Sequence, residues 1–416
     1  MKYAVYTLGC KVNQYETQAI ETMLRARGFE PAEEDADVIL VNTCAVTAES
    51  GRKSRQAIRR LQGKHPRALT AVCGCFSQLE PEAVRELGAD IVFGSGEKEK
   101  LVEAIVSAMP ATEIDDPFKR LTFEPLPAGA VTGRTRAMMK IQDGCDNFCA
   151  YCVIPYTRGR VRSLPLELCE KQAAELAAQG FSEIVVTGIE IASYGKDLPG
   201  KPGLADAVEI IAKAAPNARI RLGSLEPTVV TEEFCRRLAA LGNVCPHFHL
   251  SLQSGCDDTL RRMRRKYDTT AFAACCDRLR EHFPGCGLTA DLICGFPGET
   301  EEQFTETLAF LEEIGFLFVH AFPYSIRPGT KAADMPDQLT RAEKEERVRR
   351  ANEVIRRMRR EYLSRQVGKT LPVLFEKPRE GHSGSYCQVV TENAYTRNTV
   401  QNIQIIAAEE DRLLGI

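Results

Sequence analysis

Cys145, Cys149 and Cys152 stand at i, i+4 and i+7 in the stretch Cys145-Asp-Asn-Phe-Cys149-Ala-Tyr-Cys152. Three thiols on one tight loop can hold three irons of a four-iron cluster and leave the fourth iron open. An open metal position lets a ligand be coordinated and reduced. With 16 cysteines in 416 residues, this spacing arises by chance about 0.02 times per chain of this length. The competing readings are a zinc knuckle and three cysteines packed as core residues. Zinc as a rule wants four ligands, and no fourth Cys or His is evident nearby.

Cys10, Cys44 and Cys75 each fall just beyond an apolar run, after Tyr3–Leu8, Val38–Asn42 and Leu69–Cys73 respectively. Ligand sites of parallel α/β sheets lie beyond the carboxyl ends of strands, so these three thiols could meet at one place. Scattered cysteines are also common as small buried hydrophobes, and that reading stays open on spacing alone. Cys73 lies inside its apolar run and is assigned to the core. The remaining nine (Cys169, Cys235, Cys245, Cys256, Cys275, Cys276, Cys286, Cys294 and Cys387) show no ligand spacing. The opening residues are too short and mixed an apolar run for a signal peptide and read as a first strand. A cytosolic, reducing location is expected, and with it free thiols and not disulfides.

The elements that must position these thiols alternate strand and helix. Over residues 1–110, strands at Tyr3–Leu8, Val38–Asn42, Leu69–Cys73 and Ile91–Phe93 alternate with helices at Gln14–Arg27, Ser50–Gln62, Pro81–Leu87 and Lys98–Ala108. This predicts an N-terminal parallel α/β sheet domain. Residues 111–133, rich in Pro and Gly, read as a linker. From 134 to 366, six strands (Ala137–Gln142, Glu183–Thr187, Arg219–Gly223, His247–Leu252, Gly287–Ile293 and Phe316–Pro323) alternate with helices. This predicts a central partial (β/α)6 barrel with its site at the carboxyl ends of the strands. An Arg-rich helix, Arg341–Gln366, follows. Residues 367–416 return to short strands at Leu371–Phe375, Tyr386–Val390 and Thr399–Ile406, predicting a small C-terminal β-barrel.

Arg221, Ser224, Glu226, Gln253 and Ser254 fall at or beyond strand ends on the same mouth. Arg and Glu there suit a carboxylate, an amine or ribose hydroxyls of a cofactor. The turn Gly295-Phe-Pro297-Gly298 could bring backbone close to an adenine. Turn formation and ordinary salt bridges are the alternative for each. The six His show no ligand spacing, no Ser–His–Asp or paired-carboxylate arrangement is evident, and no side chain is assigned as catalytic. The net charge of −3 excludes a fold-wide basic field, so nucleic-acid binding would need a local patch. Candidates are Arg52, Lys53, Arg55, Arg59 and Arg60; Arg158, Arg160 and Arg162; the helix Arg341–Arg365; and Tyr386, Tyr395 and Arg397. No stretch approaches the roughly 20 apolar residues of a membrane span.

The loop from Lys140 through Cys145, Cys149 and Cys152 to Arg160 resembles the core of the radical-SAM methylthiotransferases. Thr7-Leu-Gly-Cys-Lys-Val-Asn-Gln-Tyr-Glu16, Asn42-Thr-Cys-Ala-Val-Thr47 and Cys73-Gly-Cys-Phe-Ser-Gln78 resemble their N-terminal domain. Arg221-Leu-Gly-Ser-Leu-Glu-Pro227, His249-Leu-Ser-Leu-Gln-Ser-Gly255 and Asp291-Leu-Ile-Cys-Gly-Phe-Pro-Gly-Glu299 match in order. The resemblance spans nearly the whole chain and, at Leu8–Glu16, is similar to the subfamily acting on threonylcarbamoyl-adenosine at tRNA position 37.

That resemblance implies two [4Fe-4S] clusters, the radical-generating one on Cys145, Cys149 and Cys152 and an auxiliary one on Cys10, Cys44 and Cys75. It also implies S-adenosyl-L-methionine (SAM) as radical source and methyl donor. The adenosyl radical would take hydrogen from carbon 2 of the adenine, and the protein's share would be binding, orientation and exclusion of water. The implied partners are the anticodon stem-loop of tRNA and an electron donor such as flavodoxin or ferredoxin, with no membrane. The tail resembles a TRAM domain. Leu164, where many relatives place an Arg, and Glu190, in a variable segment, leave fine substrate preference open. Rival readings are a methylthiotransferase for isopentenyladenosine or for a ribosomal-protein aspartate, and a non-enzymatic zinc or RNA-binding protein.

Overall fold

Six-residue runs such as Val-Ile-Leu-Val-Asn-Thr at 38–43, buried along their whole length, cannot be half-solvated strands. They need cover on both faces, which a parallel sheet with crossover helices provides. The computed structural model describes residues 1–127 and 135–416 and forms that arrangement first. Strands β1 (Lys2–Thr7), β2 (Glu30–Pro31), β3 (Val38–Thr43), β4 (Leu69–Gly74), β5 (Ile91–Phe93) and β6 (Ala111–Glu113) make one sheet in the order β2-β1-β3-β4-β5-β6. Every adjacent pair is parallel.

The linker reading of 111–133 is corrected at its start, since Ala111–Glu113 pairs with Ile91–Phe93 as the sixth strand. Farther along, Phe123 and Leu126 are buried. The Leu126 carbonyl accepts from Tyr15 Oη (3.0 Å) and Gln172 Nε2 (3.1 Å), so this segment stitches the first domain to the second. Residues 128–133 of that reading lie outside the described residues.

The central domain contains β7 (Arg136–Asp143), β8 (Arg162–Ser163), β9 (Glu183–Gly188), β10 (Arg219–Leu222), β11 (Ser224–Leu225), β12 (His247–Gln253), β13 (Gly287–Cys294) and β14 (Phe318–Pro323). They form two four-stranded sheets, β10-β9-β7-β8 and β11-β12-β13-β14. The sheets join where Ile220 bridges Val244 in parallel. The six long strands are the six the periodicity predicts, wrapped with their helices into a partial barrel. The short β8 is antiparallel to β7. The helix Arg341–Ser364 lies against it, burying Ala351, Val354, Ile355 and Met358 in the barrel's core.

At the C-terminus, β15 (Thr370–Lys377), β16 (Glu380–Ser383), β17 (Gln388–Thr391), β18 (Val400–Ala408) and β19 (Leu413–Gly415) close a barrel in the order β15-β16-β17-β19-β18. The strand expected from Tyr386 starts two residues later. Tyr386 has a left-handed backbone (φ 74°) and belongs to the β16–β17 turn. Among the described residues no helix is long and apolar enough to cross a membrane.

Candidate active site

The loop with Cys145, Cys149 and Cys152 leaves the carboxyl end of β7 and is closed by its own backbone. The Cys145 amide donates to Gly159 O (3.0 Å), and the Cys152 amide to Cys149 O (3.0 Å). Ala150 pins the loop to the barrel, its amide donating to Met263 O (3.0 Å) and its carbonyl accepting from Ala332 N (2.8 Å). From beneath, Phe296 of the Gly295–Gly298 turn packs edge-on against Tyr151 (6.5 Å between centroids). Burial, the nearby Glu190 carboxylate and the other two sulfurs push the Cys145 thiol up to about 12, and burial and Cys149 do the same for Cys152. Such thiols ionise only against a cation, and the thiolate is the metal ligand. Among the described residues no three His, Cys, Asp or Glu side chains converge closely enough to hold one ion. A zinc needs its donors drawn in to about 2.3 Å Zn–S. Three thiols on one loop fit a cluster that takes one iron per thiol and leaves a fourth iron open.

Cys10 caps the helix Lys11–Ala26, Cys44 follows β3, and Cys75 opens the short helix Cys75–Leu79 after β4. The three turns are packed against one another. A Cβ on Gly9 (φ 102°) would lie 2.9 Å from Cys44 Cβ, and one on Gly74 (φ 106°) 2.5 Å from Thr43 O, so each turn needs glycine twice over. Asn13 Nδ2 donates to both Leu8 O (2.8 Å) and Thr43 O (2.9 Å), bracing the backbone just before Cys10 and Cys44. Thr43 Oγ1 donates to Cys73 O (2.6 Å) and accepts from Ser77 N (3.3 Å), tying in the turn that carries Cys75. Burial raises the Cys10 thiol to about 11, against the pull of Arg158; the charge of Cys75 adds to the rise for Cys10 and Cys44. The helix Cys75–Leu79 packs against Ile154–Arg158, the helix that follows Cys152, and so brings the two cysteine segments near each other.

Between them lies a buried ionic knot. Arg158, at the end of the helix Ile154–Arg158, has no exposed surface; it donates to Asn13 Oδ1 (2.9 Å) and to both oxygens of Glu16. Lys140 Nζ bridges Glu16 (3.4 Å) and Asp143 (3.0 Å). Burial would raise the Glu16 and Asp143 carboxyls. For Glu16 the guanidinium of Arg158, with Lys98 and Lys140, outweighs it. For Asp143 it is Lys140, then Arg158. Both carboxyls are held well below their ordinary range.

On the barrel side, Asn147 Nδ2 donates to Glu190 and Glu226 (both 3.3 Å). Arg265 pairs with Glu226 (3.2 Å) and donates to Cys149 Sγ (3.2 Å). Burial, then the charge of Glu226, raises the Glu190 carboxyl to about 7. Below this rim a cavity of about 690 Å³ runs down the barrel. Cys10, Lys11, Ser224, His249 and Asp291 line its walls. The β16–β17 turn of the C-terminal barrel supplies its floor, where Tyr386 stacks on His247 (4.8 Å) and His382 (5.1 Å) beneath Arg221.

Of the residues read as cofactor contacts, Glu226 is engaged with Asn147 and Arg265 beside the cysteine loop. Ser224 lines the cavity, its hydroxyl 2.9 Å from that of Ser251. Gln253 ends β12 with a left-handed backbone (φ 68°). The structure places the others away from the rim. Arg221 points to the floor, donating to Glu183 and to the Gly384 and Ser383 carbonyls. Ser254 is wholly buried, its hydroxyl meeting Thr307 and the Cys256 amide. Gly295, with buried Pro297 beside it, makes room for the Lys344 side chain, which a Cβ there would meet at 2.5 Å.

Among the RNA candidates, Arg158 and Arg162 are buried on Glu16 and Asp143, and Tyr395 stacks on Phe375 in the small barrel. Arg160 stays exposed over Phe118 and Phe148. Along Arg341–Ser364, Arg341 and Arg349 pair with glutamates of the same helix. The spacing gave no signal for Asn13, Asn147 or Arg265, which find partners distant in sequence.

A cysteine-rich loop at the mouth of a partial β/α barrel defines a radical-SAM iron–sulfur enzyme. Residues 139–311 match the Radical SAM superfamily, and residues 2–94 match a family described as uncharacterized protein family UPF0004. The chain is 39% identical, over 99% of its length and 91% of the relative's, to a protein of Bacillus subtilis named threonylcarbamoyladenosine tRNA methylthiotransferase MtaB. It is 37% identical to the Thermotoga maritima protein of that name, over 89% of this chain and 86% of that one. A tRNA-2-methylthio-N(6)-dimethylallyladenosine synthase of Symbiobacterium thermophilum is 36% identical over 89% of this chain and 83% of its own. In fold the chain is similar to the radical SAM methyltransferase TsrM of Kitasatospora setae, with a TM-score of 0.59, 16% identity, and 80% of this chain and 74% of that one covered.

The chain belongs to the radical-SAM tRNA methylthiotransferases. Two [4Fe-4S] clusters and SAM are its cofactors.

Proposed function

We propose that the protein transfers a methylthio group to carbon 2 of N6-threonylcarbamoyladenosine at position 37 of tRNA, using SAM both as radical source and as methyl donor. The observation that carries the choice of base is the cavity that runs down the barrel beside Cys10. Its walls and floor hold Lys11, Arg221, four histidines and Asp291, a setting for a polar, anionic N6 substituent. A dimethylallyl group offers only apolar surface and would leave the Lys11 ammonium unpaired.

In this reading Cys145, Cys149 and Cys152 hold the radical-generating cluster, and Cys10, Cys44 and Cys75 the auxiliary one. When bound, the clusters and SAM supply the one-electron chemistry that breaks the carbon 2–hydrogen bond and delivers sulfur. The chain's own residues do the rest. Arg265 steadies Cys149, and Asn147 holds Glu190 and Glu226 at the rim where, with Ser224 and Gln253, they meet SAM. Tyr386, stacked on His247 and His382, forms the barrel floor. The exposed arginines of the helix Ala48–Lys64 suit the phosphates of the anticodon stem-loop. The domains would be the N-terminal methylthiotransferase domain, the radical-SAM core and a TRAM-like barrel over 367–416. A flavodoxin or ferredoxin would supply electrons in the cytoplasm.

Mass spectrometry of tRNA nucleosides from cells with and without the gene tests the substrate. Loss of the methylthio-threonylcarbamoyladenosine peak is expected. An unchanged profile, or loss of a methylthio-isopentenyladenosine peak instead, would overturn the assignment.

A further inference from the structure

Among the described residues, Lys11 is the cation of the cavity wall that makes no hydrogen bond or ion pair. It adjoins Cys10, is solvent-accessible and lines the cavity. Asp291, the acidic group of the same wall, is already taken by His249 Nε2 (3.2 Å), while His249 Nδ1 and His247 Nε2 meet Thr289 Oγ1 (both 3.0 Å). The floor adds positive charge. Arg136, Arg219 and Arg221 converge there on Glu183, and Arg136 also reaches Glu376 (3.3 Å), so three guanidinium groups face two carboxylates. A walled cavity with an unpaired ammonium and a cationic floor attracts an anion small enough to enter it.

Resting on the proposed substrate, we infer that Lys11 is the partner of the carboxylate on the N6 substituent and so a specificity-determining residue. A threonylcarbamoyl group ends in a free carboxylate, which an ammonium binds through charge-assisted hydrogen bonds. N6 and carbon 2 lie on the same edge of the purine with only N1 between them. A contact that fixes the N6 substituent one residue from Cys10 therefore also aims carbon 2 toward the auxiliary trio. The methionyl carboxylate of SAM is the other carboxylate within reach, and the test separates the two.

Reconstituted two-cluster protein is titrated with anticodon stem-loop RNAs carrying threonylcarbamoyladenosine either as the free carboxylate or as its neutral carboxamide. SAM binding is measured alongside by equilibrium dialysis. The wild type is expected to bind the carboxylate RNA about tenfold more tightly than the carboxamide RNA. Lys11→Met should bind the two equally, and Lys11→Arg, with full iron content, should keep most of the preference. The inference is overturned if the wild type shows no preference, if Lys11→Met keeps it, if Lys11→Arg with full iron loses it, or if Lys11→Met weakens SAM binding while discrimination between the RNAs survives. Failure of the substrate proposal looks different, because wild-type protein would then not methylthiolate the carboxylate RNA at all.

Discussion

Arg158, six residues beyond Cys152, donates across the domain boundary to Asn13, the residue whose amide braces the turns of Cys10 and Cys44. One guanidinium thus links the loop of one cysteine trio to the frame of the other. Its charge is matched by Glu16, itself 1% exposed. Arg158→Met leaves that carboxylate with Lys140, at 3.4 Å, as its remaining ion-pair partner among the described residues. Removing one partner of a buried pair costs about 3–5 kcal/mol. The expected result is a lower melting temperature and selective loss of the auxiliary cluster, with iron falling from about eight to about four per chain. Arg158→Lys should fall between, since a point charge does not reach Asn13 and both Glu16 oxygens together. Full iron and an unchanged melt in Arg158→Met would show that the knot does not hold the auxiliary trio.

The two trios should separate functionally. Cys149→Ala removes the thiol to which Arg265 donates and one corner of the loop's ligand set. Deoxyadenosine formation from SAM is expected to stop. Cys44→Ala disturbs only the far trio, so SAM cleavage should continue while no methylthiolated RNA appears. Chromatography of both products from a single reaction reads this. Normal RNA product from Cys44→Ala would remove the case for an auxiliary cluster at Cys10, Cys44 and Cys75.

The layout was legible wherever chemistry is local in sequence. Strand runs such as Val38–Thr43 and the i, i+4, i+7 cysteines carry their own signal, and cysteines just past strand ends already point to a shared site in a parallel sheet. What depends on partners far along the chain was not legible. Arg158, Arg160 and Arg162 read as one basic stripe, yet Arg158 finds Glu16 across 142 positions and is buried while Arg160 stays in solvent. Arg221 stands at a strand end, where a mouth residue is expected, but Glu183 and the β16–β17 turn draw it to the floor. Ala111–Glu113 is three residues long among prolines and acquires strand geometry only from its neighbour Ile91–Phe93.

Glu190 gives the molecule a pH dependence of predictable sign. Burial first, then the nearby Glu226 carboxylate, lifts its carboxyl to about 7 from an ordinary 4.5, against the opposing pull of Arg265. The folded protein therefore keeps a proton that the unfolded chain releases. The associated stability is fully present below pH 4.5 and is lost as pH rises through 7. Glu190→Gln carries no such proton and still accepts from Asn147 through its amide oxygen. In SAM-free protein the wild type should lose about 1–3 kcal/mol relative to Glu190→Gln between pH 5 and 8, allowing for the half-buried position of the group. Denaturant titrations at several pH values measure the difference. If the two proteins give parallel stability curves, Glu190 is ionised throughout, and Asn147 and Arg265 shield it more fully from Glu226 than their distances suggest.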